Sequence, residues 1–137
     1  EAETGSRAVA LWAAVYDMPR VFHATAKTGL RALLDHQGWV PYRGLRIGKA
    51  FIEQLAAVQP HDLLAQSQAP LRVYHSEIDE VVPVTEAERY MQRCSELGRP
   101  CTLERFPTAD HDFLDYADRQ RLLGDTLEFL TPCLLPV

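Results

Sequence analysis

Two short strand patterns separated by one helix pattern place the strongest limit on the fold of this chain. Residues 71–74 and Cys101–Phe106 carry the apolar, aromatic or alternating side chains that are typical of strands. Between them, Thr85 and Glu88 have the spacing of a capping box, which predicts that a helix begins there, and Gly98 is placed to end it. A helix that joins two strands of one sheet forms a right-handed crossover, so the two strands should be parallel.

The patterns before this segment predict one more strand and two helices. The apolar run from Ala8 to Tyr16 is interpreted as a strand buried on both faces of a parallel sheet. Residues 20–37 should form one helix that ends at Gly38, and residues 39–44 should form a loop rich in aromatic side chains. A second helix should follow that loop. Its apolar face would consist of Ile47, Phe51, Leu55 and Val58.

A last helix pattern closes the chain. It runs from about residue 116 to residue 130 and should end before Pro132, with Leu123, Leu127 and Leu130 facing inward. The order is therefore strand, two helices, strand, helix, strand, helix. This order predicts the α/β class, with about three parallel strands and helices packed on the sheet.

Composition and charge exclude several classes of protein. The chain has 137 residues, of which 47% are hydrophobic and 24% charged, as expected for one globular domain with a core. Its net charge of −5 argues against a nucleic-acid partner and against an anionic membrane surface, because both require a basic face. No apolar run approaches the roughly 20 residues that a membrane-spanning helix needs.

The N-terminus and the cysteines bear on processing and location. The opening residues EAETGS lack the basic and apolar segments of a signal peptide, and the missing start Met suggests a processed, tagged or truncated product. Cys94, Cys101 and Cys133 are odd in number and form no CxxC motif, which argues against a disulfide framework and a zinc site. Buried free thiols in a reducing compartment are the simplest interpretation, and they predict a cytoplasmic protein.

Two candidate catalytic residues follow the two strand patterns described first. Asp79 comes after residues 71–74, and His111 comes after Cys101–Phe106. Because reactive side chains in parallel sheets gather beyond the carboxyl ends of the strands, we expect these two side chains to meet. A carboxylate that accepts a hydrogen bond from one imidazole nitrogen fixes the tautomer and leaves the other nitrogen free to take a proton from a hydroxyl.

Simpler interpretations of the same residues remain open. Asp79 alone would also suit the first position of a turn, and His111 would suit a surface loop. His75, Glu77 and Asp79 alternate, so an extended strand would place all three on one face, as a metal site requires. No further ligand pattern in the sequence accompanies these three residues.

Residues 69–83 (APLRVYHSEIDEVVP), residues 107–113 (PTADHDF) and the closing EFL of residues 128–130 resemble the C-terminal part of the α/β-hydrolase family. The resemblance is to its esterase, lipase and serine-aminopeptidase-like branches, and it covers nearly all of this chain but only about the second half of a family domain. It implies a partial α/β-hydrolase fold. It also implies that Asp79 is the acid and His111 the base of a catalytic triad, with no metal or cofactor.

The same resemblance implies how the chain is divided. Residues 11–15 resemble the strand that the family places just before its lid. Residues 1–137 would then form a single domain, in which residues 18–69 are a cap-like helical insertion over the acyl pocket. Trp39 and Tyr42 are interpreted as packing residues of this cap rather than as the lining of the pocket.

Two features depart from the family pattern. Ser76 stands where the family usually has a glycine after the strand-end histidine. The Gly-x-Ser-x-Gly nucleophile elbow is absent, because Ser6 lacks the second glycine and precedes an apolar run instead of following one. We therefore expect part of a serine hydrolase for carboxyl esters or amides that is inactive by itself. The alternative is a truncated, non-catalytic module for binding or assembly.

The expected partners follow from the first strand. In the family arrangement this strand would be an interior one, with a neighbour that this chain lacks, and it has no proline or lysine to protect an open edge. We expect a homodimer or a complementing fragment that pairs with the edge from Ala8 to Tyr16. A small-molecule ester or amide would be the substrate of the completed enzyme.

Overall fold

The computed structural model of the protein describes residues 6–25, 28–42 and 44–134. The strands are β1 (Val9–Trp12), β2 (Trp39–Tyr42), β3 (Leu45–Gly48), β4 (Leu71–Ser76) and β5 (Cys101–Phe106). The helices are α1 (Met18–Thr25), α2 (Thr28–Gln37), α3 (Lys49–Ala57), a 3-10 helix (Pro60–Gln66), α4 (Thr85–Glu96) and α5 (Tyr116–Leu134). Within these residues, no helix combines the length and the apolar character needed to cross a membrane.

The chain divides into two compact units. The first contains the residues up to Tyr16 together with those from His61 onward, and the second is Asp17–Pro60. The first unit therefore holds β1, β4, β5, α4 and α5, whereas the second holds α1, α2, α3 and the strands β2 and β3. Both candidate catalytic residues belong to the first unit.

The first unit is built on a parallel sheet in the order β1-β4-β5, which confirms the predicted sheet. Leu71 of β4 is in register with Val9 of β1 on one side and with Cys101 of β5 on the other. β4 is thus the central strand, and β1 and β5 are the edges. The loops that follow β4 and β5 leave the sheet at the same end because the strands are parallel.

β1 is shorter and less buried than the sequence suggested. It covers only four residues of the predicted run, and its last residue, Trp12, is 46% exposed. Its other three residues are only partly buried, so the prediction that this strand is buried on both faces was wrong. β4 is its neighbour in the sheet. The indole N–H of Trp12 donates a hydrogen bond to the hydroxyl of Thr126 in α5 (3.0 Å).

The side chains of β4 alternate between two cores. Leu71 and Val73 pack on one face of the sheet, in the same core as the buried residues of α4. Tyr74 packs in the other core, with Phe106 of β5 and Leu122 of α5. Since successive strand residues point to opposite faces, α4 covers one face of the sheet and α5 covers the other.

α4 begins at Thr85 as predicted, but the capping box does not form. The N-cap residue is Val84, and no side chain caps the helix. Glu86, in the first turn, is instead buried and accepts a hydrogen bond from the backbone N–H of Tyr16 (3.0 Å). The helix ends as predicted near Gly98, whose φ of 63° is the left-handed conformation that glycine adopts readily.

α5 presents a different face to the core from the one predicted. Leu122 and Thr126 are buried, whereas Leu123 and Leu127 are exposed. The helix also continues through Pro132 to Leu134. A proline in the last turn removes only one hydrogen bond near the helix end, which a helix tolerates better than the same loss in its middle.

The second unit contains a hairpin that the sequence patterns did not reveal. β2 and β3 pair antiparallel, so residues 39–44 are not simply an aromatic loop, and Ile47 lies in a strand and not in a helix. Gly44, with a φ of 82°, supplies the left-handed residue just before β3. The predicted long helix is likewise two helices, α1 and α2, and Gly38 (φ 75°) follows the second.

Burial raises the pKa of Tyr16, Tyr90 and Cys101, which belong to or pack against the core next to α4. Burial, followed by the nearby Glu86, raises the pKa of Tyr90 to about 12, and its hydroxyl donates to the carbonyl O of Val15 (2.8 Å). Burial, followed by the neighbouring Cys94, raises the pKa of Cys101 to about 12. The thiolate is the reactive form of cysteine, so Cys101 should be a poor nucleophile. Together with Cys133, these cysteines are free thiols.

Candidate active site

Asp79 lies in the loop of residues 77–84, which joins β4 to α4 and is called the acid loop below. Its side chain is fully buried. Oδ1 accepts hydrogen bonds from the backbone N–H groups of Val81 and Val82, both at 2.8 Å. Asp79 therefore does begin a turn, and the turn uses one carboxylate oxygen only. The other oxygen, Oδ2, is left for a second partner.

His111 provides that second partner. It lies in the loop of residues 107–115 between β5 and α5, called the histidine loop below, and its Nδ1 is 2.8 Å from Asp79 Oδ2. This confirms the expected meeting of the two side chains. Because a carboxylate oxygen only accepts hydrogen bonds, Nδ1 carries the proton, and Nε2 is the ring nitrogen that is able to accept one. The imidazole is 26% exposed, so a reactant can approach it although Asp79 is covered.

Hydrogen bonds of the residues around His111 hold the histidine loop in place. Asp110 accepts the backbone N–H of Leu114 with its carboxylate (2.9 Å), and Arg119 of α5 donates to the carbonyl O of Phe113 (3.0 Å). Phe113 has a φ of 51°, which is uncommon for a residue with a large side chain. Its buried ring packs edge to face on Phe106 at 5.1 Å, so the core anchors the loop.

His75, in β4, approaches the same carboxylate from inside the protein. Its Nε2 lies 2.8 Å from the carbonyl O of Val82 and 3.6 Å from Asp79 Oδ2. The ring is fully buried, and Nδ1 has no hydrogen-bond partner among the described residues. This geometry suits a residue that braces the acid loop, because a completely covered imidazole cannot reach a substrate.

The metal site that the alternation of His75, Glu77 and Asp79 would allow does not take shape in the fold. β4 ends at Ser76, and Glu77 is an exposed residue that pairs with Arg105 (3.8 Å), away from the buried Asp79. Among the described residues, no group of three histidine, cysteine, aspartate or glutamate side chains is placed to hold a metal ion.

The structure adds one residue to the site that sequence reasoning did not assign to it. Ser76 is fully buried at the end of β4 and bonds to both loops. The sequence marked it only as a departure from the family glycine. The available signal was a small polar residue at the end of a strand, three residues before a candidate acid.

No described serine or cysteine is a hydrogen-bond partner of His111 in the structure. Ser67 accepts the backbone N–H of Ala69 (3.2 Å), and Ser76 donates to the carbonyl O of Ala109. The site thus contains a buried carboxylate and a partly exposed imidazole that it orients. Trp39 and Tyr42, considered for an acyl pocket, belong to the second unit, where Trp39 packs under the guanidinium of Arg46 (4.4 Å to the ring centroid).

Comparison with known proteins places this geometry in a family. The model of the prolyl oligopeptidase family matches residues 9–136. No curated protein sequence gives a significant match.

Solved structures with a similar fold include esterases and a peptidase. Est1E from Butyrivibrio proteoclasticus, solved with ferulic acid, has 15% identity and a TM-score of 0.64, over 89% of this chain and 49% of that chain. The esterase domain of a Rhodothermus marinus protein has 26% identity and a TM-score of 0.62, over 88% and 50%. The acylaminoacyl peptidase of Pyrococcus horikoshii has 18% identity and a TM-score of 0.62, over 91% and 20%.

This chain therefore spans about half, or less, of the length of these structures. The family match covers nearly the whole chain, and the shared architecture is a parallel sheet with helices on both faces. The chain belongs to the prolyl oligopeptidase family and contains part of an α/β-hydrolase fold.

Proposed function

We propose that this chain supplies the acid and the base of a serine-hydrolase triad that acts on carboxyl esters or amides. His111 is the general base, and Asp79 orients it. The observation that carries the proposal is the 2.8 Å hydrogen bond between His111 Nδ1 and Asp79 Oδ2, at the carboxyl ends of two adjacent parallel strands. Membership in the prolyl oligopeptidase family and the likeness to esterases and a peptidase support the same reaction class.

The chemistry follows from the fixed tautomer. His111 Nε2 takes the proton of a serine hydroxyl while that oxygen attacks the carbonyl carbon of the substrate. The carboxylate of Asp79 stabilises the resulting imidazolium through the Nδ1–H bond. The imidazolium then returns the proton to the leaving alcohol or amine, which leaves an acyl-enzyme for water to hydrolyse. None of these steps requires a metal or cofactor.

The nucleophilic serine and the oxyanion-hole donors come, in this proposal, from a second polypeptide segment. That segment is either another chain or a longer form of this one, and it brings the missing strand of the sheet. The solved relatives, of which this chain spans about half or less, support this division. Residues 18–69 would form the cap-like helical insertion of the family arrangement.

The outer side of the first unit is where we place the second segment. Pairing along β1 would satisfy the open edge of the sheet. Trp12, at the end of β1, exposes apolar surface, and so does Leu127 of α5. Leu127 directly follows Thr126, whose hydroxyl accepts a hydrogen bond from Trp12. In the absence of that segment, a second copy of the chain is the expected occupant, as a two-fold homodimer.

Light scattering on the purified chain tests this surface. Leu127→Glu should lower the apparent mass of the assembly toward that of the 15.5 kDa monomer. Leu134→Glu, at the far end of the same helix, is the matched control, since it adds the same charge to an exposed leucine. A wild-type chain that stays monomeric at high concentration would contradict the open-edge argument.

A chimera tests the catalytic proposal. The half of the Rhodothermus marinus esterase domain that this chain matches is replaced by this chain, and turnover of a p-nitrophenyl ester is measured. We expect activity that falls by a factor of about a thousand or more in His111→Ala, because loss of one triad member leaves only residual catalysis. His36→Ala, an exposed histidine of the second unit, should leave the rate unchanged.

The chain by itself should show no turnover. Ester hydrolysis by the isolated chain that disappears in His111→Ala would mean that it contains its own nucleophile. A folded chimera that is inactive despite a complete upstream half would favour the alternative, a non-catalytic binding or assembly module.

A further inference from the structure

Ser76 makes hydrogen bonds to both loops of the candidate site. Its hydroxyl donates to the carbonyl O of Ala109. The same Oγ accepts a hydrogen bond from the backbone N–H of Ile78 (3.1 Å). Ile78 immediately precedes Asp79, and Ala109 lies two residues before His111. One buried hydroxyl therefore joins the backbone of the acid loop to the backbone of the histidine loop.

We propose that Ser76 is a positioning residue that fixes the separation of Asp79 and His111. The inference rests on the proposed function, in which this pair is the acid and base of the triad. A hydroxyl can donate one hydrogen bond and accept another at the same time, which neither alanine nor glycine can do. Glycine, the residue that the family pattern has at this position, would leave the two loops without this bridge.

The hydrogen bond from Ser76 to Ala109 connects the two chain segments beyond the last backbone hydrogen bond of the sheet. Pairing of the β4 and β5 backbones reaches as far as the N–H of Glu77, which donates to the carbonyl O of Phe106 (3.0 Å). Beyond that bond the two chains diverge into the acid loop and the histidine loop. The bond from Ser76 to Ala109 joins the two chains beyond this point, two residues before His111.

His75 differs from Ser76 in the loop that it holds. Its hydrogen bond goes to Val82 within the acid loop, and its Nδ1 has no partner among the described residues. His75 therefore braces one loop, whereas Ser76 connects the two. Loss of Ser76 should for that reason disturb the hydrogen bond between Asp79 and His111 directly.

Nuclear magnetic resonance of the isotopically labelled full chain tests the role of Ser76. The exchange of the His111 Nδ1 proton with water is compared in the wild type, Ser76→Ala, Ser76→Gly and Ser76→Thr. Removing a buried hydroxyl that has two backbone partners should speed this exchange about tenfold or more. Ser76→Thr keeps the hydroxyl and should stay near the wild type. Ser67→Ala, which removes a hydroxyl bonded outside both loops, should also leave the rate unchanged.

Each outcome decides the proposal. Wild-type exchange in a folded Ser76→Ala variant would overturn the positioning role and leave the proposed function standing. A wild-type chain without a bonded Nδ1 proton would overturn the proposed function, and the role of Ser76 with it. Exchange in Ser76→Thr as fast as in Ser76→Ala would assign the effect to packing and overturn the role of the hydroxyl.

The glycine variant decides the case in which Ser76→Ala does not fold. A folded Ser76→Gly chain with faster exchange supports the proposal, and one with wild-type exchange overturns it. Failure of both variants to fold while Ser76→Thr folds would show that Ser76 serves folding in general, which also overturns a role specific to the pair.

Discussion

Two regions of the first unit differ in how fully their side chains are buried or hydrogen-bonded: the candidate site, and the surface formed by β1 and α5. At the carboxyl ends of β4 and β5, Asp79 is buried, and its carboxylate accepts from two backbone N–H groups and from His111. On the outer side formed by β1 and α5, by contrast, Trp12 and Leu127 expose apolar surface to solvent. The first region is a polar site whose buried carboxylate is hydrogen-bonded on both oxygens. The second is an apolar surface on which another protein segment could pack.

This difference bears on which part of the proposed function this chain would supply. The orientation of His111 depends on Asp79 and on groups near the carboxyl ends of β4 and β5. Ser76 at the end of β4 and Arg119 of α5 bond to the histidine loop. The supply of a nucleophile, in the proposed function, depends on whatever packs against β1 and α5. The contrast predicts that substitutions in the loops act on stability and on the histidine, and that substitutions on the outer side act on association.

The largest effect is expected at the buried acid. Asp79→Ala leaves two backbone N–H groups and the imidazole N–H without their acceptor, so it should lower the free energy of unfolding by about 4 kcal/mol. Urea denaturation measures the change. Asp118→Ala, at the start of α5 and outside both loops, is the control and should cost about 0.5 kcal/mol or less. A loss at Asp79 no larger than at Asp118 would mean that the polar site is not tightly bonded.

Two leucines of α5, one buried and one exposed, allow the core face of the helix to be compared with its outer face. Leu122 is 2% exposed and packs against the sheet, whereas Leu127 is 64% exposed. Leu122→Ala should therefore cost about 3 kcal/mol of unfolding free energy, as for other buried leucines, and Leu127→Ala about 0.5 kcal/mol or less. Thermal unfolding of the two variants at low concentration makes the comparison. Equal losses would show that Leu127 is also buried, for example in a dimer.

A smaller, pH-dependent effect should come from Tyr90, in the core against α4. Its pKa is raised from 10.0 to about 12 in the folded chain, so the unfolded chain loses its proton first. Its contribution to the free energy of unfolding is fully present below pH 10.0. This contribution should be lost as the pH rises toward 12, by about 2–3 kcal/mol in total. Tyr90→Phe should be less sensitive to pH in this range. Stability curves of equal slope for the two proteins would contradict the assignment.

The proximity of Asp79 and His111 was predictable because each residue follows the carboxyl end of a strand. Residues 71–74 and Cys101–Phe106 have clear strand patterns, and one helix between them requires a parallel arrangement. Once the strands are parallel and adjacent, Asp79 and His111 have to lie near one another. The local strand patterns and the chain topology agree here, so the sequence is sufficient to predict that the two side chains are close.

Other features depended on tertiary contacts that periodicity does not record. Leu123 and Leu127 satisfy the spacing of a buried stripe, yet α5 turns Leu122 and Thr126 to the sheet. Thr85 and Glu88 have the spacing of a capping box, but the first turn of α4 instead directs Glu86 to the backbone of Tyr16, which is distant in sequence.

The hairpin of β2 and β3 escaped prediction for a different reason. A strand of four residues gives almost no period to detect, and Pro41 within β2 argued against a strand. In a two-stranded hairpin each strand has one free edge, so a proline is tolerated there. The bridging role of Ser76 was hidden for a similar reason, because it depends on Ala109 in a loop that is remote in sequence.

The protonation of His111 is the most direct test of the central claim that Asp79 orients a base. Long-range proton–nitrogen correlation spectra of the labelled chain, at a pH where the imidazole is neutral, report which ring nitrogen carries the proton. We predict that Nδ1 is protonated and Nε2 is not in the wild type, and that Asp79→Asn gives a mixture of the two tautomers. A wild-type His111 protonated on Nε2, or a tautomer that does not respond to Asp79→Asn, would contradict the proposed triad.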